Sequence, residues 1–277
     1  MNLLIKAQPL EEGYQPIASP SNSSLKELDF ARLRLRCRGE LYTEETEGRE
    51  VVLTFLTGRA DVEIGNVKYL SIGGRKDVFA QPPTVVYIPP GSSYLVRAAS
   101  SHADILVSKA PAEEGGQPAL IRPEEVEVRW VGAANWRRKV NVALAEDGPS
   151  KRLMVGETIS LPGNWSSYPP HKHDTDNPPQ EIWLEEVYFY LTKPEGGFGL
   201  QCLYERREGG LREVYMVESG DTVVFPCGYH PAVAAPGYQL YYFWALVGTE
   251  KLYGAWSDDP AHAWVRNLEP MLLGGMK

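Results

Sequence analysis

Short runs of β-branched and aromatic residues recur along the chain, and each is closed within a few residues by glycine, proline or asparagine. In the first half such runs occupy residues 51–56, 60–64, 85–88, 93–97 and 103–107. In the second half they occupy residues 187–191, 198–204, 213–217, 222–225 and 238–247. This spacing favours an antiparallel sandwich or barrel over strands that alternate with helices. We therefore predict an all-β chain, with short helices at most near residues 24–35 and after Pro260.

The two halves carry similar motifs in the same order. The segment 85–91 resembles 222–228, and both end in a proline–glycine turn. Upstream, Glu50 and its following strand align with Glu186 and the strand after it. The turn follows 39 residues after the first glutamate (50 to 89) and 40 after the second (186 to 226). Matching order and spacing predict an internal duplication.

A polar stretch without periodicity, residues 110–118, separates the halves and predicts a linker. We therefore place an N-terminal domain at residues 1–120 and a C-terminal domain at residues 121–277. At roughly 150 residues per domain, the length accommodates both. Open strand edges on such barrels make a homo-oligomer a further expectation.

Composition restricts the class of protein. The 277 residues include 28 Lys and Arg against 36 Asp and Glu, which gives a net charge of −8. This balance argues against nucleic acid as a partner. No apolar run reaches the roughly 18 residues of a membrane span, and the N-terminus lacks the apolar stretch of a signal peptide. Three unclustered cysteines, Cys37, Cys202 and Cys227, predict a reduced, cytoplasmic protein.

Histidines and acidic residues cluster in the C-terminal half. His171 and His173 are two residues apart, so on a strand both imidazoles point to one face. The pair Glu185 and Glu186 opens the next aromatic strand, and His230 closes the later proline–glycine turn. Neutral imidazoles with a carboxylate suit Zn²⁺, Mn²⁺, Fe²⁺ or Ni²⁺. We predict a divalent-metal site, with zinc as the first choice, where a barrel brings these segments together.

The histidine, glutamate, Pro-x-Gly-x-His order resembles the two motifs of the cupin superfamily, small β-barrels that hold a metal in their mouth. More narrowly, residues 163–174, 184–190 and 228–242 resemble the 5-deoxyglucuronate isomerases of myo-inositol catabolism, and residues 73–91 fit the first half of that family. The resemblance implies two tandem cupin (jelly-roll) barrels. An insertion at residues 174–184 departs from the usual spacing of the first cupin motif.

The resemblance implies the metal ligands His171, His173, Glu186 and His230. Glu186 is preferred to Glu185 because it directly precedes the strand, as the ligand does in cupin uronate isomerases, whereas Glu185 would point to the opposite strand face. In the first half Ser93 takes the place of His230, and no His-x-His precedes the aligned glutamate. We therefore expect a metal-free first barrel with a structural role.

The activity implied by the resemblance is conversion of 5-deoxy-D-glucuronate to 2-deoxy-5-keto-D-gluconate, an aldose–ketose isomerisation of a small sugar acid. A proton leaves C2 and another reaches C1, while a divalent metal can stabilise the enediolate; a hydride shift is a second route. Candidate bases are a metal-bound hydroxide, Glu185, Tyr229 or one of Tyr241 and Tyr242. Candidate cations for the substrate carboxylate are Lys172, Arg152 and Arg75.

Three alternative functions stay open. The nearest is isomerisation of a pectin-derived 5-keto-4-deoxyuronate, whose chemistry is similar. A cupin dioxygenase would use the same ligands with Fe²⁺ and would consume oxygen. A metal-stabilised sugar-binding or regulatory module is the non-enzymatic alternative.

Overall fold

The computed structural model describes residues 3–9 and 11–274, and its regular elements are predominantly strands, which confirms the all-β prediction. Elements of the first half are β1 (Leu4–Ile5), β2 (Gly13–Ala18), β3 (Asp29–Leu35), β4 (Leu41–Glu45), β5 (Arg49–Ile64), β6 (Val67–Gly73), β7 (Val85–Ile88), β8 (Ser93–Pro111) and β9 (Ala119–Ile121).

The second half contains β10 (Glu127–Val131), a 3₁₀-helix (Ala134–Trp136), β11 (Arg138–Leu144), β12 (Leu153–Ser160), β13 (Trp165–Ser166), β14 (His171–Lys172), β15 (Leu184–Lys193), β16 (Gly199–Tyr204), β17 (Arg212–Val217), β18 (Thr222–Phe225), β19 (Ala232–Ala234), β20 (Gln239–Gly248), β21 (Ser257–Asp258), a second 3₁₀-helix (Ala263–Leu268) and α1 (Glu269–Gly274). The helices after Pro260 agree with the prediction. The helix expected near residues 24–35 is wrong, because β3 occupies most of that segment.

The N-terminal half is one sheet of eight strands in the order β2-β3-β8-β5-β7-β9, with β4 paired to β8 and β6 to β5. Two pairs of predicted strands are in fact the single long strands β5 and β8. Their pairing shifts register between Phe55 and Thr57 and again between Gly58 and Ala60. Such bulges bend a strand, so each long strand curves around the interior of this half.

The C-terminal half has a seven-stranded sheet, β1-β18-β15-β20-β12-β11-β10, and a four-stranded sheet, β13-β19-β16-β17. The Tyr190 hydroxyl donates a 2.7 Å hydrogen bond to Gln201 Oε1 and joins the two sheets. β14 pairs with β21 beside them. The predicted domain limits need correction, because β1 pairs with β18 and β9 extends past residue 120. The outermost residues 1, 2 and 275–277 of those domains lie outside the described part of the chain.

The two halves pack back to back through one continuous apolar core. Phe30 of the first half stacks on Phe243 at a ring-centroid distance of 5.8 Å and lies 6.2 Å from Phe189. Because side chains alternate along a strand, Val52 faces this interface while Val51 faces the interior of its own half.

Reciprocal carboxylate caps hold the halves together. Glu50 accepts hydrogen bonds of 2.6–2.8 Å from three successive backbone N–H groups of the second half, those of Lys151, Arg152 and Leu153. Glu185 accepts hydrogen bonds of 2.5–2.8 Å from three successive N–H groups of the first half, those of Lys26, Glu27 and Leu28. The same contact is thus made in both directions, as an internal duplication predicts.

Strand register corrects the alignment of the halves by one residue. Val51 pairs with Ile88 at the end of β7, and Glu186 pairs with Phe225 at the end of β18. If the two turns correspond, Val51 is the counterpart of Glu186, and Glu50 is the counterpart of Glu185. Among the described residues, no helix is long and apolar enough to cross a bilayer.

Candidate metal centre and its cavity

Three of the four predicted metal ligands meet at one point inside the C-terminal half. The potential ligand atoms of His173, Glu186 and His230 all lie within 4.8 Å of one another, and all three side chains are buried. Glu186 Oε2 lies 3.1 Å from His173 Nε2 and 3.4 Å from His230 Nε2. Two imidazoles and one carboxylate converging in this way form a donor set for a divalent ion.

The hydrogen bonds of the His173 and His230 rings use Nδ1 and leave Nε2 available for a metal in each ring. His173 Nδ1 lies 2.8 Å from the carbonyl oxygen of Leu184, and His230 Nδ1 lies 3.0 Å from that of Gly228. Backbone carbonyls accept Nδ1–H and thereby direct the Nε2 lone pair towards the cluster. His230 Nε2 is buried without a hydrogen-bond partner, which is the state expected of a ligand atom prepared for a metal.

His171, the fourth predicted ligand, lies beside this group. Its ring centroid is 4.9 Å from that of His230, about as close as the 5.0 Å between His173 and His230. The opposite side of the ring stacks on Trp256 at 4.8 Å. His171 therefore borders the centre, although its nitrogens are outside the group within 4.8 Å.

The insertion between the histidines and Glu186 is a closed loop. Its two ends join where the Leu184 N–H donates to the His173 carbonyl at 2.9 Å. Asp174 Oδ2 accepts the Gly228 N–H at 2.8 Å and ties this loop to the turn that carries His230. Gly228 has a φ of +89°, which favours glycine at this turn. Despite the insertion, His173, Glu186 and His230 therefore lie close together.

Burial sets the protonation states of the cluster. It lowers the pKa of His230 to about 3, assisted by the nearby charge of His173, so this ring is neutral at physiological pH. It also lowers the pKa of His171 and raises that of Glu186. At His173 burial acts against the charged ring, but the hydrogen bond and charge of Glu186 outweigh it and raise the pKa. Neutral imidazole is the form that binds metal, so the donor set fits a divalent cation.

Two residues of the cluster, His173 and Glu186, line a cavity of about 180 Å³ together with His171, while His230 does not line it. Register explains the lining: Glu186 and Tyr188 of β15, Tyr242 and Trp244 of β20 and Thr158 of β12 share one face of the sheet. The full lining is Arg129, Val131, Arg138, Val140, Thr158, Ser167, His171, His173, Glu186, Tyr188, Tyr242, Trp244, Leu246, Tyr253 and Trp256. A cavity of this size suits one small molecule rather than a polymer.

Three hydroxyl groups form a chain along the cavity. Ser167 Oγ lies 3.1 Å from the Tyr188 hydroxyl and 3.4 Å from that of Tyr242, and the two tyrosine rings stack at 4.3 Å. Burial, followed by the charge of Glu186, raises the pKa of Tyr188 well above its ordinary value. Tyr188 is therefore a hydrogen-bond donor at neutral pH and not a base.

Sequence reasoning missed Arg138, the buried cation of the cavity. Its side chain follows the same face as Val140 in β11, and its Nη1 donates to the carbonyl oxygens of Trp136 at 3.3 Å and Tyr168 at 3.1 Å. The other cavity arginine, Arg129, forms an ion pair with Glu127. Once the pairing of β15, β20, β12 and β11 is known, counting alternate residues across these strands from Glu186 leads to Arg138. The position of Ser167 depends in addition on the geometry of its loop.

The predicted bases are placed elsewhere. The Glu185 carboxylate is occupied by the three backbone N–H groups of the first half, on the face of β15 opposite to the metal cluster. Tyr241 is turned away from the cavity by strand alternation and donates a 2.8 Å hydrogen bond to Glu157. Tyr229 is buried against Tyr204, with ring centroids 5.3 Å apart, and does not line the cavity. Glu185, Tyr229 and Tyr241 therefore lie outside the cavity, whereas Tyr242, which the sequence also offered, lines it.

The three predicted carboxylate-binding cations lie outside the cavity. Each of them is also paired with a carboxylate of the protein. Lys172 forms ion pairs with Asp174 and Glu181 in the loop between the ligands. Arg152 pairs with Glu27 across the interface of the halves. Arg75 forms two hydrogen bonds, of 2.6 and 3.0 Å, to the buried carboxylate of Glu157. None of the three lines the cavity.

A larger and more open groove, of about 780 Å³, lies outside this cavity, and its lining includes the aromatic side chains Trp136, Trp165, Tyr168 and Trp264. Of the three converging residues His173, Glu186 and His230, two line the smaller cavity and none lines the groove. We therefore assign the chemistry to the smaller one.

Known proteins with similar sequences include several 5-deoxy-glucuronate isomerases. Over 259 residues the chain is 38% identical to the 5-deoxy-glucuronate isomerase of Geobacillus thermodenitrificans, covering 93% of both chains. Over 247 residues it is 35% identical to the 5-deoxy-glucuronate isomerase of Bacillus subtilis, covering 88% of this chain and 90% of the relative.

Solved structures agree on the fold. A crystal structure of an IolB-like protein from Salmonella typhimurium superposes with a TM-score of 0.90 at 32% identity, covering 96% of this chain and all of that one. The oxalate decarboxylase of Lactobacillus farciminis superposes with a TM-score of 0.68 at 11% identity, covering 91% and 87% of the two chains, which confirms the cupin fold alone.

The family model described as KduI/IolB matches residues 3–265, nearly the whole described chain. Together with the identities above, this match settles the membership that the motifs predict. The chain belongs to the KduI/IolB family.

Proposed function

We propose that this chain is a metal-dependent 5-deoxy-glucuronate isomerase, which converts an aldehyde sugar acid into its keto isomer in the cytoplasm. The observation that carries the proposal is the cluster of His173, Glu186 and His230, of which His173 and Glu186 line a cavity of small-molecule size. Relatives named for this activity, at 33–38% identity, match about nine tenths of the chain.

In this proposal His173, Glu186 and His230 hold the divalent ion, and His171 completes the set from its position beside His230. A bound ion would supply Lewis acidity for the negative charge that develops on the C1 and C2 oxygens. Zinc is the first choice, and manganese, iron or nickel suits the same ligands.

The chain's own residues have distinct tasks in this cavity. Tyr188 holds its proton and is available as a hydrogen-bond donor, while Ser167 lies between it and Tyr242 and can relay a proton between the two hydroxyls. Trp256 and Trp244 line the cavity and limit access of water to the reacting carbons.

The test incubates the purified protein, with its metal content measured, with 5-deoxyglucuronate and follows loss of the C1 aldehyde and gain of the ketone by NMR. Conversion supports the proposal, and absence of conversion by fully metallated protein contradicts it. Parallel assays with 5-keto-4-deoxyuronate, and with an oxygen electrode, separate this activity from the related isomerase and from a dioxygenase.

Removal of the metal supplies the matched control. Dialysis against a chelator should abolish turnover, and adding back Zn²⁺, Mn²⁺, Fe²⁺ or Ni²⁺ one at a time should identify the ion that restores it. Activity that persists without a divalent ion would remove metal dependence from the proposal and leave the isomerase assignment intact.

A further inference from the structure

Arg138 is a buried cation that forms no ion pair with a carboxylate of the described residues, although the more distant charge of Glu269 favours its charged form. Its exposed fraction is 9%, and Nη1 donates hydrogen bonds to two backbone carbonyl oxygens. Within residues 3–9 and 11–274, no carboxylate lies within 4 Å of its guanidinium nitrogens. Burial lowers the pKa of Arg138, which shows that the surroundings disfavour its charge.

Neighbouring arginines show that this arrangement is unusual in the molecule. Arg75 is just as buried and has the Glu157 carboxylate on two of its nitrogens. Arg152 pairs with Glu27, and Arg129 pairs with Glu127. A buried charge without a partner costs several kcal/mol, so a cation of this kind is expected where an anion binds.

The position of Arg138 relative to the metal cluster suits a two-ended substrate. Arg138, His173 and Glu186 line the same cavity, and the Tyr168 carbonyl that orients the guanidinium lies three residues before His171. Nη1 is occupied by carbonyl oxygens, which leaves Nε and Nη2 as a pair of parallel donors. Such a pair matches the two oxygens of a carboxylate.

We propose that Arg138 binds the carboxylate of the sugar-acid substrate and so sets which end of the molecule faces the His173–Glu186–His230 cluster. The identity of the acid rests on the proposed isomerase function, whereas the carboxylate pocket itself does not. Arg138 thus takes the role that the sequence assigned to Lys172, Arg152 and Arg75, whose charges are already paired.

The test compares D-glucuronate with D-glucuronamide, which replaces the carboxylate by a neutral amide of the same shape. Calorimetric titration of the full chain should show wild-type preference for the acid by about 10- to 100-fold, the range of a charged hydrogen-bonded contact. Arg138→Gln should remove this preference, and Arg138→Lys should keep only part of it, since an ammonium cannot pair with both oxygens. The control Arg137→Gln removes an adjacent arginine that stacks on Trp130 and should behave as wild type.

Three results would overturn the proposal: no preference or no binding in the wild type, an unchanged preference in Arg138→Gln, or an equal loss in Arg137→Gln. Thermal unfolding checks that each variant is folded. Should the Gln variant unfold, the Lys variant decides, because a purely structural role predicts full retention of the preference there.

Kinetics distinguish this proposal from the function it refines. With 5-deoxyglucuronate, Arg138→Gln should raise KM by about 10- to 100-fold, with a smaller effect on kcat. Isomerisation with an unchanged KM would keep the function and reject the carboxylate pocket. Arg138-dependent preference for glucuronate without any isomerisation would reject the function and keep the pocket.

Discussion

The two halves of the molecule place the same strand position in opposite chemical settings. Val51 of β5 and Glu186 of β15 occupy the same position relative to the turn-bearing strands β7 and β18. Val51 lies in a sealed apolar interior with Leu33, Leu53 and Phe55. Glu186 lies with two imidazoles at the wall of an open cavity.

Strand positions that face the other half carry the same chemistry in both halves, whereas those that face the interior of their own half do not. Glu50 and Glu185, one residue before the divergent pair, cap three backbone N–H groups in the same way on both sides. Docking of the halves therefore requires the same chemistry in both, while the interior is free to be either a core or a site. This is the physical basis for expecting catalysis in one half and support in the other.

The strongest way to break the comparison is to remove a ligand. His230→Ala should lower metal content, measured by mass spectrometry, below stoichiometry and reduce turnover by more than about 1,000-fold. The loss should exceed the roughly 10- to 100-fold typical of removing a ligand's hydrogen-bond partner. His171→Ala tests the fourth ligand in the same two measurements.

Ser93→Ala provides the matched control for His230→Ala, since Ser93 takes the corresponding place in the first half. We expect unchanged metal content and activity. A ratio of two ions per chain in the wild type, or loss of metal from the Ser93 variant, would contradict the expectation of a metal-free first half.

The buried ion pair between the halves should give the next largest effect. Arg75→Met leaves Glu157 buried with Asn141 and Tyr241 as its remaining partners, and should lower the free energy of unfolding by about 3 kcal/mol. The double variant with Glu157→Met should recover much of that loss, because no charge is left unpaired. Urea unfolding measures both. A raised KM in folded Arg75→Met without loss of stability would instead restore Arg75 as a substrate-binding residue.

The reciprocal caps should respond alike. Glu185→Gln and Glu50→Gln each weaken three charge-assisted hydrogen bonds, and each should cost about 2 kcal/mol of unfolding free energy. Below the unfolding transition, folded Glu185→Gln should retain its kcat, because the carboxylate does not reach the cavity. A large loss of kcat at full stability would show that Glu185 acts in catalysis after all.

Features that depend on neighbouring residues in the sequence could be predicted, whereas features that depend on the pairing of distant strands could not. The His-x-His pair, Glu186 and the turn before His230 are local patterns, and the structure brings His173, Glu186 and His230 together, with His171 beside them. Tyr241 and Tyr242 differ by one residue, so choosing between them requires knowing the pairing of β20 with β15. Arg138 lies in no motif, and its place in the cavity depends on the register of four strands, β15, β20, β12 and β11. Such register is fixed by tertiary packing and cannot be read from local spacing.

The smallest effect concerns β1, which crosses from the first half into the sheet of the second. Lys6, just after β1, forms ion pairs with Asp221 and Glu218 and is about half exposed. Lys6→Ala should cost less than about 1 kcal/mol, because Lys6 itself is solvated and the buried Asp221 keeps the backbone N–H groups of Ala7 and Glu218. The difference from wild type in urea unfolding should shrink as NaCl is raised to about 0.5 M, since salt screens exposed charges. A loss of unfolding free energy as large as that of the Glu50 and Glu185 variants would mean that the contacts of the N-terminal strand contribute strongly to holding the halves together.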